Sequence, residues 1–202
     1  MDLVLDSLGR RMRAMHSLYE QATSTMDVGH VNHVERPGVL PIAFSLFHAV
    51  LIEDGAALLL GAGAPVWSDD WAARLELGVV DHGKNRTVEE MMAQRIGNWD
   101  AYRDYQATVF ARTEEWLARF DPTTLDEIVV ARPLPETLAS TFSARVAGPA
   151  GITRLDGVEC WIYQHGLRHL GEIEHARALV GLGGMTSYSV CPIWTHRFAL
   201  TN

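Results

Sequence analysis

Four stretches of this chain place apolar residues at steps of three and four, the pattern of helices with one buried face. The first covers about residues 2–23. There Leu5, Leu8, Met12, Met15, Tyr19 and Ala22 make one stripe. His16 lies beside the stripe and is expected at the surface or half-buried. The second covers about 40–60. Its apolar residues (Ile42, Phe44, Leu46, Phe47, Val50, Leu51 and Ile52) run round nearly the whole circumference, so most of it should be buried. Pro41 suits its first turn, and Gly61, Gly63 and Pro65 end it. The third is expected to start at Thr87, which forms a capping-box pattern with Glu90, and to run unbroken to Pro122. Its stripe is Met92, Ile96, Trp99, Tyr102, Gln106, Val109, Thr113, Trp116 and Phe120. Tyr102, Arg103 and Gln106 interrupt that stripe with polar groups that suit a pocket wall. The fourth should begin near Asp156, with Asp156 and Glu159 as a capped start. It carries Val158, Ile162, His165, His169, Ile173, Ala176 and Val180 on one face and ends at Gly181, Gly183 and Gly184.

The connections differ in character. Residues 61–86 form a long loop with Trp67, Asp69, Asp70 and Trp71, and a short helix is expected over 71–77. A loop of that length is often functional. Residues 121–155 are rich in proline and threonine. Within them LDEIVVARPL and LASTFSARVAG read as two short extended pieces, suggesting a hairpin. The tail, about 185–202, carries Tyr188, Trp194 and Phe198, which suit packing on the body or on a partner subunit. Residues 1–202 read as a single domain.

Composition narrows the function. With 202 residues, 48% of them apolar or aromatic, the chain can build one ordinary core. The formal charge is −8, and Lys84 is the only lysine beside sixteen arginines. No basic stripe appears, which argues against nucleic-acid binding. The start of the chain has no apolar core of signal-peptide length. The longest apolar run, 39–52, is too short to span a bilayer. The expectation is a soluble cytoplasmic protein that binds no membrane. Cys160 and Cys191 are not in a CxxC spacing, and Cys160 reads as a small buried hydrophobe.

The candidate chemistry rests on histidine. His165 and His169 are four residues apart, hence on one face of a helix with Cβ atoms about 5–6 Å apart. Both fall on the apolar stripe. Two imidazoles facing a core each cost free energy unless their nitrogens are satisfied, and one shared metal ion satisfies both. His48 is the only ionisable side chain in the most apolar part of the second helix. It needs a partner too, either a metal or a carbonyl. A third imidazole from a neighbouring helix would leave coordination positions open for chemistry. His30 and His33, on a loop, read as solvated; His175 should be exposed, and His196 has no local support as a ligand.

The fourth-helix string HGLRHLGEIEHARALVGLGG, the second-helix string SLFHAVLIED and the stretch VFARTEEWLARFDPTTLDEIV together resemble the DinB-like (YfiT-like) metalloenzyme superfamily. The resemblance covers most of the chain and explains the 61–86 loop and the tail least. It implies an all-α antiparallel four-helix bundle with up-down-down-up connections. It also implies a divalent metal, nickel or zinc with iron as a further option, held by His48, His165 and His169. Homodimers are common among such proteins. Relatives of this kind include mycothiol-dependent maleylpyruvate isomerase and bacillithiol transferases. The expectation is therefore a thiol-dependent transferase or isomerase with a small-molecule substrate, in which the metal activates a low-molecular-weight thiol. Two alternatives stand beside it: a metal-dependent small-molecule hydrolase, and a non-catalytic, stress-linked metal-binding bundle. A zinc protease is disfavoured, because HGLRH lacks the glutamate of HExxH. Glu53 and Glu172 are candidates to orient a ligand imidazole.

Overall fold

The computed structural model describes residues 3–185. The expectations for the tail, including Tyr188, Trp194, Phe198, His196 and Cys191, lie outside the described residues. The structure is mostly helical, with one small two-stranded sheet. Its helices are α1 (Leu3–Ser24), α2 (Val28–Val31), α3 (Ile42–Leu59), α4 (Asp69–Leu75), α5 (Val88–Met92), α6 (Trp99–Ala118), α7 (Glu136–Ala139), α8 (Phe142–Val146), α9 (Arg154–Gly157) and α10 (Gln164–Leu179). The strands are β1 (Ile128–Ala131) and β2 (Gly151–Thr153). α1 packs on α6 and α10, and α3 packs on the same two, so the four long helices enclose one core. The α1 stripe holds as read: Leu8, Met12, Met15, Tyr19 and Ala22 are all buried.

α3 is the most buried of the four. It is long and apolar enough to cross a membrane, more so than the 39–52 run suggested, but 67% of it is covered by the rest of the fold. Four polar side chains sit in it, and each has a partner elsewhere in the chain. Ser45 donates to Glu172, His48 to the His82 carbonyl, Glu53 pairs with His16, and Asp54 pairs with Arg112. Buried polar groups need such partners, so these four contacts fix how α3 is turned about its axis.

Three expectations need correction. The third helix is not continuous. The Thr87–Glu90 capping box forms, but it caps only α5. The chain then breaks: Ile96 bridges Leu77, Gln94 closes on the backbone of Val79, and Asn98 caps a new helix by accepting from the Ala101 amide. The second extended piece is absent. LASTFSARVAG forms α7 and α8, with Thr141 as the cap of α8, and β1 instead pairs antiparallel with β2. Gly151 sits there at φ +144, and a Cβ on it would meet the Val130 carbonyl oxygen at 2.1 Å. The fourth helix starts earlier, at Arg154, capped by Thr153 with Asp156 closing the box. Residues Val158–Tyr163 are then wound as a π-helix before α10 begins.

That π-wound turn matters for the site. A π-turn holds an extra residue and rotates whatever follows it, and such turns recur at functional positions. The buried residues of α10 are Gly166, Leu170, Ile173 and Arg177. His165 and His169 therefore lie on the flank of the core face, half-buried, rather than in its middle as the apolar spacing suggests. They border α3.

Candidate metal centre

His48 of α3 meets His165 and His169 of α10 at this flank. The His48 and His165 Nε2 atoms are 3.2 Å apart, and so are those of His165 and His169. One ligand nitrogen from each lies within 4.8 Å of the others. All three residues are half-buried, and the His169 side chain is 12% exposed.

The outer nitrogens settle two of the three tautomers. His48 Nδ1 is 2.5 Å from the His82 carbonyl, which can only accept, so Nδ1 carries the proton. His169 Nδ1 is 2.7 Å from Glu172 Oε2 and donates to it. Glu172 is held below the ordinary carboxylate range by that bond first, against the cost of burial, and also accepts from Ser45 Oγ at 2.9 Å. Both neutral rings therefore turn a bare Nε2 inward. At most one proton, on His165, is then left for three converging nitrogens. Protonating the rings is disfavoured as well: burial, then the neighbouring His169, pushes His48 down to about 4 and His165 down to about 3.

A cation fits this donor set. Three nitrogens held tetrahedrally at about 2.0–2.1 Å from one ion would lie about 3.3 Å from each other; two of the separations here are 3.2 Å, and the third lies within 4.8 Å. The outer contacts, a carbonyl on one ring and a carboxylate on another, are those that orient metal-bound imidazoles. Three neutral nitrogens suit several first-row divalent ions.

His48, His165 and His169 come together. Glu172 supports His169 as expected, while Glu53 does not face the cluster. Glu53 is buried and pairs instead with His16, whose Nε2 lies 3.3 Å from it. His16 is only 1% exposed, more buried than the expected surface or half-buried position, because Glu53 and Glu114 flank its ring and Phe110 stacks on it at 3.9 Å. Burial opposes the charge on His16, and the two carboxylates outweigh it, so its pKa is raised. His30 and His33 bond to Asp27 and Glu35, away from the cluster, and His175 is exposed. Of the polar trio on α6, Tyr102 and Gln106 are buried and Arg103 is exposed. Cys160 is buried, and burial pushes its thiol up to about 11, as suits an inert core residue. His82 was missed. It acts through its backbone, and a backbone carbonyl leaves no trace in residue type.

No family model matches this chain, and no curated protein matches it. Among solved structures, a conserved protein from Enterococcus faecalis aligns with a TM-score of 0.69 over 90% of this chain and 99% of that one. The two are 17% identical, so the likeness shows a shared fold and nothing further.

Proposed function

We propose that this protein is a divalent-metal-binding enzyme of the DinB-like kind, with the long helices as an antiparallel up-down-down-up bundle and His48, His165 and His169 as ligands. The observation that carries this reading is the convergence of three Nε2 atoms, two of them unprotonated because the outer nitrogens of His48 and His169 are committed to the His82 carbonyl and Glu172. Nickel and zinc both suit the donors, and iron is the further option.

Only three protein donors gather among the described residues. A structural zinc site closes with four, and a catalytic one keeps a position open, which favours chemistry over a purely structural ion. The ion would act as a Lewis acid, drawing a bound thiol or water toward its deprotonated form near neutral pH. The chain's own parts are then orientation and proton control. Glu172 holds the His169 ring by its Nδ1–H, and the His82 carbonyl holds His48. Glu172 is already engaged by two donors, so it serves as a positioning group and not as a free base.

The proposed reaction is transfer or isomerisation with a low-molecular-weight thiol and a small electrophilic substrate, in a cytoplasmic homodimer. Hydrolysis of a small molecule is the second reading, favoured by the same open position. The discriminating experiment loads the protein with nickel or zinc and follows loss of a model electrophile with and without added thiols. Turnover that depends on both metal and thiol supports the transferase reading. Turnover with metal alone supports hydrolysis. Absence of turnover, with folding lost on chelation, would leave a structural ion.

A further inference from the structure

Of the three histidines, two share a helix. His165 and His169 are set relative to each other by the four-residue spacing on α10. His48 arrives from α3, so the triad closes only when its ring is correctly aimed. That ring is held on its outer side by the turn at Asp81–Arg86.

The turn is tied at every step. Asp81 Oδ1 accepts from the Gly83 amide at 2.8 Å and from Arg86 Nε at 3.1 Å, and Asp81 Oδ2 accepts from Arg86 Nη2 at 2.7 Å. The Lys84 amide donates to His82 Nδ1 at 3.0 Å, and the Arg86 amide donates to the Gly83 carbonyl at 3.0 Å. Lys84 Nζ reaches the Thr137 carbonyl at 2.7 Å, which anchors the turn to α7. These bonds leave the His82 carbonyl little freedom, and it receives the His48 Nδ1–H at 2.5 Å. A second contact runs through Phe44, whose ring stacks on His48 with centroids 5.4 Å apart. Gly83, at φ +75, lies so close that a Cβ there would stand 2.7 Å from Phe44.

We propose that the Asp81–Arg86 turn is a positioning strap for His48, setting the affinity and coordination geometry with which the three-histidine site takes a divalent cation. The proposal rests on the metal reading above. Asp81 and Arg86 donate nothing to the ion. As a pair they are 49% and 33% exposed, and an ion pair so placed adds little to stability. Their contribution is to the angle of one imidazole.

The test uses Asp81→Asn and Arg86→Gln in the full chain, because either breaks the fork from the solvent side. Cobalt(II) titration followed by its visible absorption gives affinity and geometry together. Each variant is expected to bind cobalt about tenfold more weakly, the low end for groups that orient a ligand, with an altered absorption band and a nearly unchanged melting temperature. The imidazole nitrogen-15 spectrum of metal-free protein gives a second readout. His48 is expected as the Nδ1–H form in the wild type and as a mixture in the variants. Wild-type affinity and an unchanged His48 spectrum in both variants would overturn the strap. If the wild type took up no cobalt, the metal reading would fall, and the spectrum would still decide whether the turn orients His48: an unchanged spectrum overturns it, and a shift toward the other tautomer supports it.

Discussion

Replacing Asp54 by alanine is expected to be the most damaging single truncation outside the histidine cluster. Asp54 is 0% exposed on α3. Its Oδ1 accepts from the Val66 amide at 2.9 Å and from Arg112 Nη1 at 2.9 Å. Its Oδ2 accepts from the Trp67 amide at 2.7 Å and from the Tyr105 hydroxyl at 3.2 Å. One carboxylate thus fastens the start of the 61–86 loop to α3 and α6. Hydrogen bonds to a charged group contribute about 1.5–3 kcal/mol each, but adding four of them overstates the loss. Arg112 keeps the Ala64 and Asp54 carbonyls, at 2.6 and 2.9 Å, and water enters the vacated space. The better guide is removal of one member of a buried ion pair, about 3–5 kcal/mol. At roughly 2–4 °C per kcal/mol for a chain of this size, Asp54→Ala should melt about 6–20 °C below the wild type. Asp54→Asn keeps the shape and some acceptors and should lose about half as much. Differential scanning calorimetry gives both values, and limited proteolysis should show new cuts within 61–86. A loss below about 1 kcal/mol for Asp54→Ala would refute the idea that this carboxylate anchors the loop.

Other expectations follow from the same reasoning. Because the folded state raises the pKa of His16, its contribution is fully present below the ordinary imidazole value of about 6.5 and fades as pH rises through the folded value. The stability gap between wild type and His16→Gln, from denaturant titrations, should therefore shrink from pH 6 toward alkaline pH; a constant or widening gap would contradict the buried ion cluster. Glu172→Ala frees the His169 Nδ1–H and should weaken metal binding about 10–100-fold, read by competition with a chromogenic chelator, while unchanged affinity would remove Glu172 from the site. Gly151→Ala forces a Cβ against the Val130 carbonyl at positive φ and should cost about 2 kcal/mol or more, with slowed amide exchange at Arg132 lost first, since that amide bonds to Ala150 beside it.

How much was legible in the sequence depended on whether the signal was local. The stripe of α1 and the circumferential burial of α3 were readable because each needs only periodicity. The HxxxH pair was readable for the same reason, and the structure brings His48 to it. The position of the pair was not. The spacing projects His165 and His169 into the core, whereas the structure sets them on its flank, after the π-wound turn at Val158–Tyr163. No residue pattern announces that turn. The break before α6 was hidden in the same way, because Ile96 and Trp99 keep helical spacing while Gln94 and Asn98 are claimed by backbone groups. His16 was misplaced because its burial depends on two carboxylates from other helices, 37 and 98 residues away. Long-range polar pairs of this kind decide burial, and spacing along one helix does not show them.

The central claim is that three inward imidazole nitrogens hold one divalent ion. Its most direct test is the metal content of untagged protein by mass spectrometry, wild type beside His48→Ala. The account expects one nickel, zinc or iron per chain in the wild type and its loss in the variant, with the helical signal by circular dichroism retained in both. No metal in the wild type after reconstitution, or the same content in His48→Ala, would contradict it.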